Sequence, residues 1–115
     1  DENYEIRRFV EEAPAAGVSL SVMKSSQFEV VVTAARHNTL LVDNKSCALP
    51  DVFLPRPDGI RGEYLAQAVM RQMEQAGVSV INKVDAALTV ADKLHAHQIL
   101  ASHGIPTPAT MLASA

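Results

Sequence analysis

The chain has 115 residues, 48% of them apolar and 20% charged, with a formal charge of −3; this is the make-up of an ordinary folded domain, long enough for one core and too short for two. Its ten Lys and Arg residues are scattered, which argues against the clustered basic footprint of a nucleic-acid binder. No apolar run approaches the length of a membrane span and no basic, apolar leader opens the stretch, so a cytoplasmic location without membrane contact is expected.

The first stretch, NYEIRRFVEEA, sets Ile6, Phe9, Val10 and Ala13 at the spacing of one helix face, with Arg and Glu elsewhere. Asp1 or Asn3 can cap this helix, Pro14 should end it early, and Gly17 follows where a left-handed residue is wanted. VSLSVM then alternates with period two, which predicts a strand. FEVVVT is a further strand candidate, and TLLVDNKSCAL reads as a hairpin turning at Asp43 and Asn44. Residues 52–54 are expected to form a short buried strand that stops at Pro55, because proline cannot donate to a ladder. Over about 63–76 the stripe Leu65, Val69, Met73 and Ala76 predicts a second helix, ended by Gly77 and followed by a strand, VSVIN.

The junctions AAGVSLSV and QAGVSVIN share one order of helix, glycine and β-branched strand, and SHGIPTPAT offers a weaker third version. Helix alternating with strand predicts an α/β fold with a mostly parallel sheet flanked by helices, the hairpin being an insertion. A doubly wound unit begins with a strand that becomes central to its sheet, whereas this stretch begins in a helix. The initial strand is therefore missing, or another element or subunit takes its place. A sheet left with such open edges is expected to dimerise or to pair with a foreign segment.

Three cations are candidates for binding chemistry. TVAD, ending at Asp92, matches a capping pattern in which Thr89 is the N-cap and Asp92 reaches back to a free N–H. Lys93 then sits in the first helical turn, where the dipole disfavours a cation by a few tenths of a kcal/mol up to about 1 kcal/mol. That placement makes sense if an anion is the intended neighbour, since a helix N-terminus with an ammonium suits phosphate. The plain alternative is that Asp92 neutralises Lys93 on a wet surface. Arg56 leaves the carboxyl end of a strand between two prolines, and a guanidinium held that way can fork onto a carboxylate or phosphate, or pair structurally with Asp51 or Asp58. Arg61 lies near it in a glycine-flanked loop.

The helix after Lys93 carries two apolar stripes, Ala96, Ile99, Leu100 and His103 on one side and Val90, Leu94 and Ala101 on the other, so packing on two sides is expected. His103 reads as a packed or capping residue beside Gly104. His95 and His97 point in different directions, and with Cys47 alone neither a disulfide nor a zinc site is indicated. No G-x-G-x-x-G, P-loop, G-x-S-x-G or H-E-x-x-H occurs, so nothing in the stretch completes an active site.

Taken in order, PDVFLPRPDG, YLAQAVMRQMEQAGVSVIN and DKLHAHQILASHGIPTPAT resemble the N-terminal, pre-ATP-grasp domain of RimK-like ATP-grasp carboxylate–amine ligases of the alpha-L-glutamate ligase type. The match is carried by Asp92, Lys93, Gln98, Leu100, Ala101, Gly104, Ile105, Pro106, Pro108 and Thr110, then by residues 49–51 with Pro55 and Arg56. The resemblance implies a Rossmann-like pre-ATP-grasp domain over 1–106, with 107–115 starting the connection to an ATP-grasp module. It also implies ligation through an acyl-phosphate with ATP and Mg2+, both held mainly by that module, and an amino-acid substrate with a protein, peptide or small-molecule acceptor. By the same resemblance Lys93 would contact nucleotide phosphate and Arg56 would face the active site. Arg56 and Arg61 are the candidates for a substrate carboxylate. The stretch alone is not expected to ligate. A non-catalytic α/β binding or oligomerisation module, or a flavodoxin-like ligand binder, stays open beside this reading.

Overall fold

A computed structural model describes residues 3–34, 39–56 and 64–114. Helix α1 spans Tyr4–Glu12, and Asn3 caps it, its Oδ1 accepting from the Glu5 N–H at 3.0 Å. The cap works because a short side-chain oxygen satisfies one of the first-turn amides that have no helical acceptor. On its outer face Arg8 pairs with both Glu11 and Glu12, three and four residues on. The helix stops before Pro14, as its sequence requires.

A 3-10 turn, Ser25–Gln27, leads into strand β1, Phe28–Val31. Strands β2, Thr39–Val42, and β3, Lys45–Ser46, form the expected hairpin with Val42 opposite Lys45. Asp43 and Asn44 both take positive φ, 49° and 61°, the pattern that a two-residue hairpin turn needs and that Asp and Asn tolerate. The turn is tied back to β1, since Gln27 Nε2 donates to Asp43 Oδ2 and the Asn44 N–H to Glu29 Oε2. β1 and β2 pair antiparallel, with Phe28 opposite Val42 and Val30 opposite Leu40.

Strand β4, Val52–Phe53, helix α2, Tyr64–Gln75, and strand β5, Ser79–Val80, follow, and β4 pairs parallel with β5. The expected mostly parallel sheet is therefore corrected: among the described residues the larger, three-stranded sheet is antiparallel and only the β4/β5 pair is parallel. The reason is connection length. Strands joined by tight turns must run antiparallel, and parallel strands need a crossover, which here only α2 supplies among the described residues.

The core is built on one face of α2. Phe28, Leu40, Val69, Met73, Val78 and Val80 form a buried cluster, and the Phe28 and Phe53 rings meet edge to face at 6.5 Å across the two sheets. α2 ends as its glycine predicts: Gly77 takes φ +85°, its N–H bonds the Glu74 carbonyl, and the Val78 N–H bonds the Met73 carbonyl. The same pair of bonds recurs at Gly17 and Gly104. Only after Gly77 does a strand follow. Residues 18–24 form none, although their sequence alternates, and no strand follows Gly104 among the described residues.

Helices α3, Val84–Ala91, and α4, Lys93–Ser102, close the described chain and pack on each other. Two-sided burial of this region is not found: Val90 is 67% exposed, and Ile99 and Leu100 are also exposed. Val52 is 53% exposed rather than buried, because β4 is an edge. The radius of gyration is 17.4 Å, against about 13 Å for a compact domain of this length. The chain thus holds a small core with open apolar surface around it.

Candidate functional site

The break between α3 and α4 is one residue long. Asp92 is extended, with φ −89° and ψ 93°, its Oδ1 accepts from the His95 N–H at 3.2 Å, and its carbonyl accepts from the Ala96 N–H at 2.8 Å. Asp92 is thus the N-cap of α4 and Lys93 its first residue. This corrects the reading of Thr89 as the cap. Thr89 lies inside α3, where its hydroxyl donates to the Asp85 carbonyl at 2.8 Å. The capping pattern misleads because VDAALTVA is itself competent for helix, so α3 runs through the residue that would have capped.

The Lys93 side chain is exposed, and none of the ion pairs among the described residues includes it. The ammonium therefore stands in the positive potential of the α4 N-terminus, with Asp92 engaged by the backbone beside it. An arrangement of amides and an ammonium at one helix mouth can hold an oxyanion such as phosphate. The other end of α4 is closed by its own side chains: His103 is the C-cap, its Nδ1 lying 2.9 Å from the Ile99 carbonyl. His97 holds the outgoing segment, with Nδ1 2.9 Å from Thr110 Oγ1.

Arg56 follows β4 at the rim of an apolar trough of about 740 Å3. Its Nε lies 3.6 Å from Glu5 Oε2 on α1, and both side chains are about half exposed. The sequence offered Asp51 or Asp58 as partners. Glu5 was missed because a contact spanning some fifty residues leaves no local signal. Lys24 lines the same trough and was likewise not singled out. Arg61 and Asp58 lie outside the described residues. Arg56 follows β4 and Lys93 opens α4, so the two cations stand on separate elements. Among the described residues no three His, Cys, Asp or Glu side chains converge to hold a metal. Cys47 is half-buried, its thiol directed at the Ala48 carbonyl.

The family model of the RimK PreATP-grasp domain matches residues 1–87. The chain belongs to this family. The RimK pre-ATP-grasp match ends ahead of Asp92 and Lys93, but the alignments with curated relatives run further. The chain is similar to a protein of Stenotrophomonas maltophilia (strain K279a) named "Probable alpha-L-glutamate ligase", 33% identical over 108 residues, covering 94% of this chain and 36% of the relative. Proteins of the same name from Xanthomonas campestris pv. campestris (strain 8004) and Xanthomonas oryzae pv. oryzae (strain MAFF 311018) are 33% and 32% identical over the same shares of each chain. The chain thus spans about a third of the length of these relatives. No described helix is long and apolar enough to cross a membrane.

Proposed function

We propose that this RimK pre-ATP-grasp domain is the substrate-side, N-terminal part of an ATP-dependent ligase that joins an amino acid to a carboxylate or amine acceptor through an acyl-phosphate. The amino acid is glutamate, following the names of the relatives. Residues 1–106 form the domain and 107–115 begin its connection to the ATP-grasp portion; alone, the stretch does not ligate. The acceptor is a protein tail, peptide or small molecule, the assembly is a homo-oligomer, and the location is cytoplasmic, with no nucleic acid or membrane bound.

The observation that carries this reading is the exposed Lys93 ammonium on the first residue of α4, beside a cap whose carboxylate is occupied by a backbone amide. These residues fit a phosphate. ATP, when bound, supplies the phosphoryl group that activates a carboxylate. Lys93 would hold one phosphate at the helix mouth, and Asp92 keeps the first turn of α4 in place beneath it. Arg56, with Arg61, would orient a substrate carboxylate, in exchange with Glu5 in the case of Arg56. The described residues offer no cluster fit for Mg2+, so no step is assigned to the ion here.

The test is Lys93→Gln in the intact ligase. Loss of one charge-assisted contact costs about 1.5–3 kcal/mol, so the apparent ATP requirement rises roughly tenfold or more while the domain stays folded. Unchanged nucleotide kinetics would remove the phosphate role.

A further inference from the structure

Two segments line the trough in the same order, apolar first and then a cation. Leu20, Val22 and Lys24, at every second position of one run, form one row, and Phe53, Leu54 and Arg56, leaving β4, form another. Residue types that suit a covered wall thus give way, in both rows, to a charge that must reach water or an anion. Arg56 meets an anion already, the Glu5 carboxylate in the first turn of α1. Lys24 does not: its side chain is exposed, and none of the ion pairs among the described residues includes it. Its backbone is nonetheless fixed, since its N–H donates to Gln27 Oε1 at 2.9 Å and its carbonyl accepts from the Gln27 N–H at 3.0 Å. Gln27 is itself tied to Asp43 of the hairpin turn. The ammonium therefore swings on its own stem from a held point on the wall that it shares with Arg56.

We infer that Lys24 is the residue that selects an acidic amino acid: with the substrate's α-carboxylate on Arg56, its side-chain carboxylate rests on the Lys24 ammonium. This deepens the proposed role of Arg56 and rests on it, while standing apart from the phosphate role of Lys93. One cation holds every α-amino acid alike, because all carry the same α-carboxylate. A preference for an acidic side chain needs a second positive charge, and specificity is the difference that this second contact makes. The two cations also suit different tasks. Arg56 follows Pro55, and its planar fork can take a carboxylate of fixed orientation. Lys24 carries a compact charge on a flexible stem, so it can follow a side chain with several rotatable bonds. The charges balance as well. Glu5 and Arg56 cancel; once a substrate carboxylate replaces Glu5 on Arg56, the second substrate carboxylate is matched by Lys24 rather than left unpaired at the rim.

The experiment titrates glutamate and glutamine separately into the whole protein by calorimetry, with Mg2+ and a non-hydrolysable ATP analogue present. Glutamine has nearly the size of glutamate and lacks its side-chain charge, so the ratio of the two Kd values isolates the Lys24 contact. Wild type should bind glutamate more tightly, and Lys24→Met should shrink that preference roughly tenfold. Lys24→Arg, which keeps the charge, should retain most of it, and Lys24→Glu should reverse it. Should Lys24→Met fail to fold, Lys24→Gln reads the same ratio. Arg56→Ala should weaken both amino acids by similar factors, because both present the same α-carboxylate. A ratio that Lys24→Met leaves unchanged, while Arg56→Ala still weakens both ligands, would overturn the inference and leave the Arg56 reading standing. Binding of both amino acids untouched by Arg56→Ala would overturn the Arg56 reading and the inference with it. Loss of the ATP analogue, rather than of glutamate, in Lys24→Met would also overturn the inference, by placing the ammonium on a phosphate.

Discussion

Lys93 carries opposite consequences for stability and for function, and the contrast can be measured. It is the first residue of α4, exposed and outside the ion pairs of the described residues. A cation at that position opposes the helix dipole by about 0.3–1 kcal/mol at low ionic strength. Glutamine matches lysine in helix propensity, so Lys93→Gln isolates the charge. The substitution should therefore stabilise the domain by about 0.3–1 kcal/mol, or roughly 1–5 °C in Tm for a chain of this size. Lys93→Glu should gain less than twice that, because the new carboxylate meets Asp92 next to it. Urea denaturation at low salt measures the gain, and repetition near 1 M salt should erase most of it, since screening then acts over about 3 Å. On the proposed function, the same substitution in the whole protein should weaken ATP use. If Lys93→Gln destabilised the domain, or if its gain ignored salt, the ammonium would have a structural partner and the idea of a cation held ready for an anion would fail.

Other outcomes follow from the packing and the rim of the trough. Met73 is 2% exposed in the core cluster, so Met73→Ala should cost about 2–5 kcal/mol by denaturant melting; Met111→Ala, at an 89% exposed position, should stay within about 0.5 kcal/mol of wild type. Glu74 Oε1 accepts from the partly buried Val84 N–H at 2.7 Å. Glu74→Ala should cost about 1–3 kcal/mol and speed exchange of the Val84 amide, whereas Glu74→Gln keeps an acceptor and should cost less; equal losses would contradict the capping role. If Arg56 orients a substrate carboxylate as proposed, Arg56→Ala in the whole protein should raise KM for the amino acid, and Glu5→Gln, which removes the competing carboxylate, should lower it. Steady-state kinetics with the amino acid varied would show the two moving in opposite directions.

Much of the fold was legible because it is written in local rules. Helix α1 with its Asn3 cap and its stop at Pro14, the Asp43-Asn44 turn and the glycine exit of α2 each depend on residues within one or two turns of one another. The Lys93 position at a helix start was legible for the same reason, although the cap proved to be Asp92 rather than Thr89. What the sequence could not show was strand pairing beyond a tight hairpin. VSLSVM has the pattern of a strand, but a strand exists only where another pairs with it, and among the described residues no backbone hydrogen bond reaches residues 19–23.

Sequence by itself therefore determined α1 with its Asn3 cap, the Asp43-Asn44 turn, the glycine exit of α2 and membership of the RimK pre-ATP-grasp family, because each resides in short runs of residues. Tertiary structure alone decided that the larger sheet is antiparallel, that Arg56 meets Glu5, and that an apolar trough opens between α1 and β4. Those are contacts between segments distant along the chain, set by connection geometry and by which surfaces find partners, and no local run of residues encodes them.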